Sequence, residues 1–579
     1  MFWRGMLRRK PIERLIAEAD GEDRLHRALG PVSLTSLGVG AIIGAGIFAM
    51  TGRVAAQDAG PAVVLSFVVA GVACALAALC YSEFAAMAPV AGSAYTYTYA
   101  TLGEAFAWII GWDLILEYAM SCSVVAAVWT HYLDELLRIV FGLRLPPEWT
   151  SDPFTPVTVG TQAVQAYCNL PAILIIACTT VVLVKGIRES AALNSALVML
   201  KVGVVLFVIA LGAGYVETRN WTALPVESRN ANFLTDYVAR HPDVASQVPG
   251  GVVPPEMTGA EFLDRHPEAV AGLTEAEQAR IAALPSEVEK WGLLGVFGLN
   301  RWLAPLDEAV RGPFLPYGFS GVMVGAALVF FAYIGFDSIS THAEEAIRPQ
   351  RDLPIAILGS LCLCTVLYIL MAGVITGMEP YPSIDPNAAV ASAFRKQAEA
   401  TGSPLMRAAA GLIAAGALAG LTSVLLVTFL SQARVFLAMA RDGLLPRSIF
   451  GVLHSRFRTP HRATILTGAT IALASGFFPI IVLEYMVNIG TLMAFAFVCA
   501  SVMVLRITRP DVHRPFRCPA LFFVAPLGIA TSLMMTLFLP LDTWMRLAVW
   551  LAIGFVVYLA YGRRHSTLRL ADERPTIPS

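Results

Sequence analysis

Three ionisable residues lie deep inside apolar runs, where a charge at a helix centre costs about 2.5 to 3.5 kcal/mol even on the most lenient insertion scale. Lys201, in ALNSALVMLKVGVVLFVIAL, has about ten apolar or small residues on each side. At roughly 1.5 Å per residue it is about 15 Å from either surface and cannot snorkel, so it must face the protein interior. A lysine in a cavity can shed and regain its proton as the cavity empties and fills, which makes Lys201 a candidate proton carrier. It can equally stay charged and tie two helices together by hydrogen-bonding unwound backbone; the two roles are compatible. Glu117 sits mid-run in EAFAWIIGWDLILEYAMSCSVV, with Asp113 one turn earlier on the same helical face. A carboxylate there can recognise a cationic group or relay a proton, and no local capping duty is evident for Glu117. Asp337 directly follows a glycine-containing interruption, so capping a resumed helix and meeting a solute are both open to it. His342, Glu344, Glu345, Arg348 and Arg351 cluster where the same run ends, either as an inner gate of ion pairs or as an ordinary solvated interface.

The elements that must position these groups include two membrane-length runs broken by small residues. LTSLGVGAIIGAGIFAMTG (34–52) breaks at Gly44-Ala45-Gly46, and GVMVGAALVFFAYIGFDSISTHAEEA (321–346) breaks around Ile334-Gly335-Phe336-Asp337. In hydrocarbon every backbone N–H and C=O needs a partner, so unwound backbone survives only where it lines a protein-enclosed cavity. Paired breaks in the two halves of a helical membrane protein are how secondary transporters hold a charged solute near the midplane. The half-helix starting near Gly46 presents amides and a positive dipole end to an anion such as a carboxylate. The open carbonyls of Ile42 and Ile43, with those near Phe331 and Ile334, suit an ammonium. Together, residues 42–46 and 331–337 offer complements to both ends of an α-amino acid.

Other chemistries are excluded. Gly38, Gly40, Gly44 and Gly46 lack the G-x-G-x-x-G spacing, because position 43 is Ile, and no strand precedes them. None of the nine cysteines has metal or redox spacing, and they read as buried structural thiols; no metal or cofactor is expected. An enzyme would need a nucleophile or a paired acid and base, and His131 and His342 fall on separate helices near opposite faces. A transport-inactive sensor with the same binding residues is not excluded.

Hydrophobic residues make up 56% of the 579, charged residues only 14%, and mean hydropathy is +0.65. This is the composition of an all-α polytopic membrane protein in contact with a lipid bilayer. The net charge of −1 implies neither a nucleic acid nor any other strongly charged partner. Runs of about 20 apolar residues predict twelve transmembrane helices: 34–52, 62–88, 106–133, 170–185, 191–214, 317–342, 355–378, 406–436, 462–479, 482–505, 519–539 and 543–562. With both termini cytoplasmic, 25 of the 41 Lys and Arg lie inside, and more than half of those outside fall in one long loop, where the positive-inside rule weakens. The charged first thirty residues contain no cleavable signal, so the first membrane helix serves for insertion. The long loop, 215–316, carries 14 acids and 8 bases between Glu217 and Arg311. Thr258 with Glu261, and Thr274 with Glu277, have capping-box spacing, and Pro285 stops the second helix. A small helical subdomain on the outer face is expected, either as a tolerated insertion or as a lid or site for an unknown partner.

GVGAIIGAGIF, GWDLILEY, GIRESAALN followed by Lys201, FFAYIGFDSISTHAEEAIRPQRDLP, SQARVFLAMARDGLLP and VNIGTLMAFAFVCASVMVLRITRPDVHRPFRCP together resemble bacterial members of the cationic amino acid transporter family, in the amino acid, polyamine and organocation superfamily. The resemblance runs from about residue 25 to 562, outside 217–312. It implies a LeuT-like fold of two inverted five-helix repeats, broken at helices 1 and 6, plus two C-terminal helices. The organisation is then an N-terminal arm (1–33), a first repeat (34–214), the outer insertion (215–316), a second repeat (317–505), helices 11 and 12 (506–562) and a tail (563–579). It also implies secondary active amino acid permeation by alternating access in the inner (plasma) membrane, with backbone of the broken helices holding a zwitterionic or cationic amino acid. Lys201 stands where proton-coupled relatives have a lysine linking the first helix to the fifth, and Glu117 and Asp337 match carboxylates of the side-chain pocket. Two departures matter: Ala45 replaces a hydroxyl residue of many bacterial relatives, and the long loop is not part of the family pattern. Proton symport is the expectation, and exchange of one amino acid for another stays open.

Overall fold

The computed structural model describes residues 8–11, 29–90, 92–155, 157–159, 162–186, 191–248, 253–270, 272–457 and 459–572. Expectations for most of the N-terminal arm and the end of the tail, and for Arg188, Arg458 and the Glu344 side chain, lie outside the described residues.

Each apolar run is helical: α1 (Pro31–Ile42), α2 (Val63–Met87), α3 (Glu104–Phe141), α4 (Leu170–Lys185), α5 (Ala191–Gly212), α6 (Gly318–Val329), α7 (Pro349–Met378), α8 (Pro404–Arg441), α9 (His461–Phe477), α10 (Ile480–Thr508), α11 (Leu521–Leu537) and α12 (Leu541–Val557). Among the described residues, eight helical stretches are long and apolar enough to cross a membrane, and α1, α4 and α11 are shorter apolar helices. One departure from all-helical structure is a three-residue antiparallel hairpin between α3 and α4, Val157–Val159 with Gln162–Val164, where β-branched residues favour extended backbone.

Both broken runs are interrupted. α1 ends at Ile42, Ile43 is extended (φ −73°, ψ 97°), and helix resumes from Ala45 with a π-helical turn over Gly46–Met50. α6 passes into one 3-10 turn, Phe330–Tyr333, before Ile334 turns extended (ψ 131°) and Gly335 takes φ +125°, which a side chain would oppose. A short helix, Ser338–Thr341, follows.

α3 packs on α8 and α10, and α2 packs on α7. α1 lies against α7 and α5, α6 against α2, α8 against α5, and α4 against α9. α11 and α12 sit outside, both on α10. Buried residues from all these helices form one continuous core. All nine cysteines are free, and Cys178 and Cys362 are exposed on α4 and α7 rather than buried as expected. They lie on outward faces of apolar helices, which a lipid environment covers without protein packing.

The 215–316 segment folds as short helices around its own core of Leu234, Tyr237, Phe262, Ile281 and Leu284. Thr258 with Glu261 and Thr274 with Glu277 both close reciprocal capping boxes, and the second helix ends at Ala282, before Pro285. The segment, with Tyr317 just after it, holds the helical turn over Ala55–Ala59 that continues the first broken run. Asn230 Nδ2 donates to the Ala56 carbonyl at 2.8 Å, Tyr317 Oη donates to the same carbonyl at 3.0 Å, and the Asn232 amide donates to the Gln57 carbonyl.

Candidate functional site

The two breaks lie against each other, and a glycine on each side permits the approach. A Cβ on Gly46 would collide with Cα and Cβ of Ala332, and one on Gly335 would lie 2.9 Å from the carbonyl carbon and oxygen of Ala41. Carbonyls freed by unwinding must be satisfied, and neighbouring helices do so. Tyr368 of α7 places its hydroxyl 2.8 Å from the Ile42 carbonyl and 2.9 Å from that of Ala332, bridging the breaks. Tyr132 of α3 donates to Phe48 O at 2.8 Å. Lys201 of α5 is buried, and its Nζ donates to Gly40 O in the last turns of α1 at 2.7 Å. The lysine stem runs along Gly420 of α8, where a Cβ would sit 3.3 Å from Lys201 Cγ.

Asp337 serves the second break and reaches beyond it. Its Oδ1 accepts the Gly335 N–H at 3.2 Å, and its Oδ2 accepts the Tyr118 hydroxyl of α3 at 2.8 Å. The carboxylate thus caps the unwound loop and pins it to α3.

Between the breaks lies a cavity of about 20 Å³, little more than one water requires. Ile42, Gly44, Ala45, Gly46, Phe331 and Ile334 line it together, so most of the backbone expected to hold a solute converges on one point. Ile43, Glu117, Asp337 and Lys201 do not form its wall. The remaining wall comes mainly from Tyr118, Ser121 and Val125 of α3 and from Val424 and Thr428 of α8. The α3 residues were legible in principle, since they recur at helical spacing beside Glu117. In the α8 run, where several hydroxyl residues recur among small apolar ones, nothing marks Val424 or Thr428 in particular.

Glu117 is buried beside Tyr118 in the chain but away from the cavity wall, and among the described residues neither of its carboxyl oxygens has a hydrogen-bond partner. The same holds for both oxygens of Asp113, which abuts Gly490 of α10. Unpaired buried carboxyls are costly, so each demands a proton, a donor or a cationic group.

Ion pairs lie beyond each break. After the second break Glu345 pairs with Arg434 of α8 at 3.0 Å, while the Arg348 backbone N–H goes to Asp352 Oδ2 at 3.3 Å. His342 Nδ1 lies 2.9 Å from Ser338 O, within its own turn. Leu29 joins this end through a parallel bridge to Ala346. After the first break Arg53 pairs with Glu484 of α10 at 2.7 Å, both side chains buried. Arg53 and Glu484 went unmarked because they fall at the ends of the predicted spans 34–52 and 482–505, where a charge can reach water, and the structure buries both.

Residues 29–252 and 292–558 match the family model for amino acid permeases. The chain is 36% identical to the methylthioribose transporter of Bacillus subtilis (strain 168) and 38% identical to the branched-chain amino acid permease BcaP of the same organism, each over 97% of this chain and 99% of the relative. The family model leaves residues 253–291, in the middle of the long loop, unmatched. The vacuolar cationic amino acid transporter 4 of Arabidopsis thaliana is 33% identical over 87% of this chain and 68% of its own length. With two broken helices meeting at a small cavity inside an apolar helical bundle, and with both Bacillus relatives covered over 99% of their length, the chain belongs to the amino acid permease family, whose members named here are transporters rather than enzymes.

Proposed function

We propose that the protein is a proton-coupled symporter that moves a zwitterionic or cationic α-amino acid across the inner membrane by alternating access. The observation that carries this reading is the convergence of both breaks on one cavity, with Lys201 bonded to the backbone just before the first break. The substrate carboxylate takes the amides at residues 44–46, and its ammonium takes the carbonyls of Ile42, Phe331 and Ile334. The cavity must widen for this, so the broken helices part to admit substrate and close over it. Lys201 holds α1 while protonated; loss of its proton on the inner side releases the Gly40 carbonyl and resets the cycle.

The helix pairings support two inverted repeats. Exchanging α1–α5 for α6–α10 maps the pair α1–α7 onto α6–α2 and α3–α10 onto α8–α5, and leaves α2–α7, α3–α8 and α4–α9 unchanged; each is a packed pair. On this reading twelve helices span the membrane, α11 and α12 are peripheral, and both termini are cytoplasmic. Val125, Phe331, Ile334 and Val424 make the side-chain wall apolar, which favours a neutral aliphatic amino acid, the class named for the BcaP relative. Glu117, the carboxylate a cationic side chain would seek, does not line the cavity.

Uptake of labelled amino acids, one at a time, into proteoliposomes without internal substrate tests the reading. Concentrative uptake under an inward proton gradient, abolished by a protonophore, is expected. Lys201→Ala should lose the gradient dependence while still binding substrate. Uptake only into preloaded liposomes would mean exchange, and binding without flux would mean a sensor. Full gradient-driven uptake by Lys201→Ala with unchanged pH dependence would remove the lysine from the coupling step.

A further inference from the structure

The outer segment carries an amphipathic helix, Asn300–Ala309, whose two faces have opposite fates. Asp307 is buried and ties the helix to the outer end of α6: its Oδ1 accepts the Ser320 N–H at 2.6 Å, and its Oδ2 receives Lys290 at 3.2 Å and Arg311 at 3.3 Å. On the other face Trp302 is 82% exposed and Leu306 67%, and the apolar surface continues through Phe297 at 68%, Leu299 at 46% and Val310 at 50%. The separation follows from helical spacing, since 299, 302, 306 and 310 share one stripe while 307 points elsewhere.

The helix lies at the level where membrane helices end. Before it in the chain, Trp291 lies against Phe538, with ring centroids 6.3 Å apart and planes tilted by 34°, in the turn joining α11 to α12. Gly292 (φ +54°) fits against the carbonyl oxygens of Leu537 and Leu539, which a Cβ would approach to 2.6 and 2.5 Å. Lys290 also donates to Tyr317 O at 3.0 Å, one residue before α6 begins. Phe319 in the first turn of α6 and Leu541 at the start of α12 are exposed apolar neighbours at the same level. These contacts fix the height of the helix against three membrane-helix ends.

We infer that Asn300–Ala309 lies in the bilayer interface, with Trp302, Leu306 and Phe297 inserted into the leaflet that surrounds the outer ends of α6, α11 and α12. The partner of this face is lipid. A tryptophan-bearing apolar stripe beside polar residues is the chemistry that seats a helix at headgroup depth, and in water so large a contiguous patch would drive aggregation. The same segment grips Ala56 and Gln57 through Asn230 and Asn232, so the leaflet, the outer segment and the outer half of the first broken run form one mechanical chain.

The test uses the full chain in nanodiscs of phosphatidylethanolamine and phosphatidylglycerol. Trp302→Cys, Leu306→Cys and, on the polar face, Glu308→Cys are made separately and labelled with a thiol-reactive nitroxide, with the unsubstituted protein labelled in parallel to subtract its own cysteines. Collision with oxygen should exceed collision with a water-soluble nickel chelate at 302 and 306, and the order should reverse at 308. Nickel access at 302 and 306 equal to that at 308 would overturn the inference. So would protection at 302 that disappears when a co-purified second chain is stripped from the nanodisc, because a protein rather than lipid would then cover the face. Leu306 keeps the test decisive if Trp302→Cys fails to fold.

Discussion

Gly46→Ala probes closure directly. Gly46 begins a helical turn, where alanine is intrinsically favoured over glycine by up to about 1 kcal/mol, so the isolated half-helix loses nothing. The cost arises only where the new Cβ meets Cα and Cβ of Ala332. Overpacking of this kind costs roughly 1 to 3 kcal/mol. It acts on any state in which the two breaks touch and spares states in which they are apart. At 1.4 kcal/mol per factor of ten, the population of the closed arrangement falls about 5- to 140-fold. The assay is the initial rate of gradient-driven uptake per reconstituted protein, beside thermal stability in detergent. Ala332→Gly in the Gly46→Ala background should restore only part of the rate, because Ala332 Cα stays in place. Gly203→Ala on α5, where no atom lies within 4 Å of the added Cβ, should leave uptake unchanged. A folded Gly46→Ala protein transporting at the parent rate would refute the idea that the breaks close on each other during the cycle.

Tyr368→Phe removes the shared donor of the Ile42 and Ala332 carbonyls, at about 1 to 3 kcal/mol. Its melting temperature should fall and substrate should recover more of the loss than it adds to the parent; an unchanged melting temperature argues against the bridge. Arg53→Met leaves Glu484 buried and unpaired and should cost about 3 to 5 kcal/mol, whereas Arg53→Met with Glu484→Leu should regain most of it. A double variant as unstable as the single one in a detergent melt counts against a buried pair. Asn230→Ala and Asn232→Ala each remove one bond to the outer half of the first broken run, worth about 0.5 to 1.5 kcal/mol, so amide exchange over 55–59 should quicken roughly 2- to 12-fold per substitution. Exchange there that matches the parent by mass spectrometry would mean that the outer segment does not restrain it.

The breaks were legible because the constraint behind them is local: glycines and small residues inside a membrane-length run have few other uses. The register of the first break was less so. Helix resumes at Ala45 rather than beyond Gly46, and Ile43 is the extended residue, because Tyr368 of α7 fixes where the Ile42 carbonyl must point. Nothing in CTVLYILMAG marks that hydroxyl's partner. Lys201 had to face inward on energetic grounds, and its buried bond to Gly40 O is a placement of that kind. Glu117 was visible as an intramembrane charge, yet its absence from a cavity wall that includes Tyr118 depends on the rotation of α3, since consecutive residues differ by about 100° around a helix. Capping boxes at Thr258 and Thr274 are written in four residues each, whereas the grip of Asn230 on Ala56 joins positions far apart in the chain.

The imbalance of donors and acceptors at the breaks is what the α-amino acid proposed as substrate would relieve and a simple ion would not. Side chains of α3, α5 and α7 bring donors to the carbonyls of Phe48, Gly40, Ile42 and Ala332. Tyr368, however, has one hydroxyl proton for two carbonyls at 2.8 and 2.9 Å, so at any instant one of them is under-served. A short way along the same strand the first amides of the resumed half-helix have no acceptor within their own helix. An ammonium alone would relieve the carbonyls and leave the amides unmet; a carboxylate alone would do the reverse. A molecule carrying both on one carbon relieves both at once, and only with the two breaks in contact, which couples binding to closure.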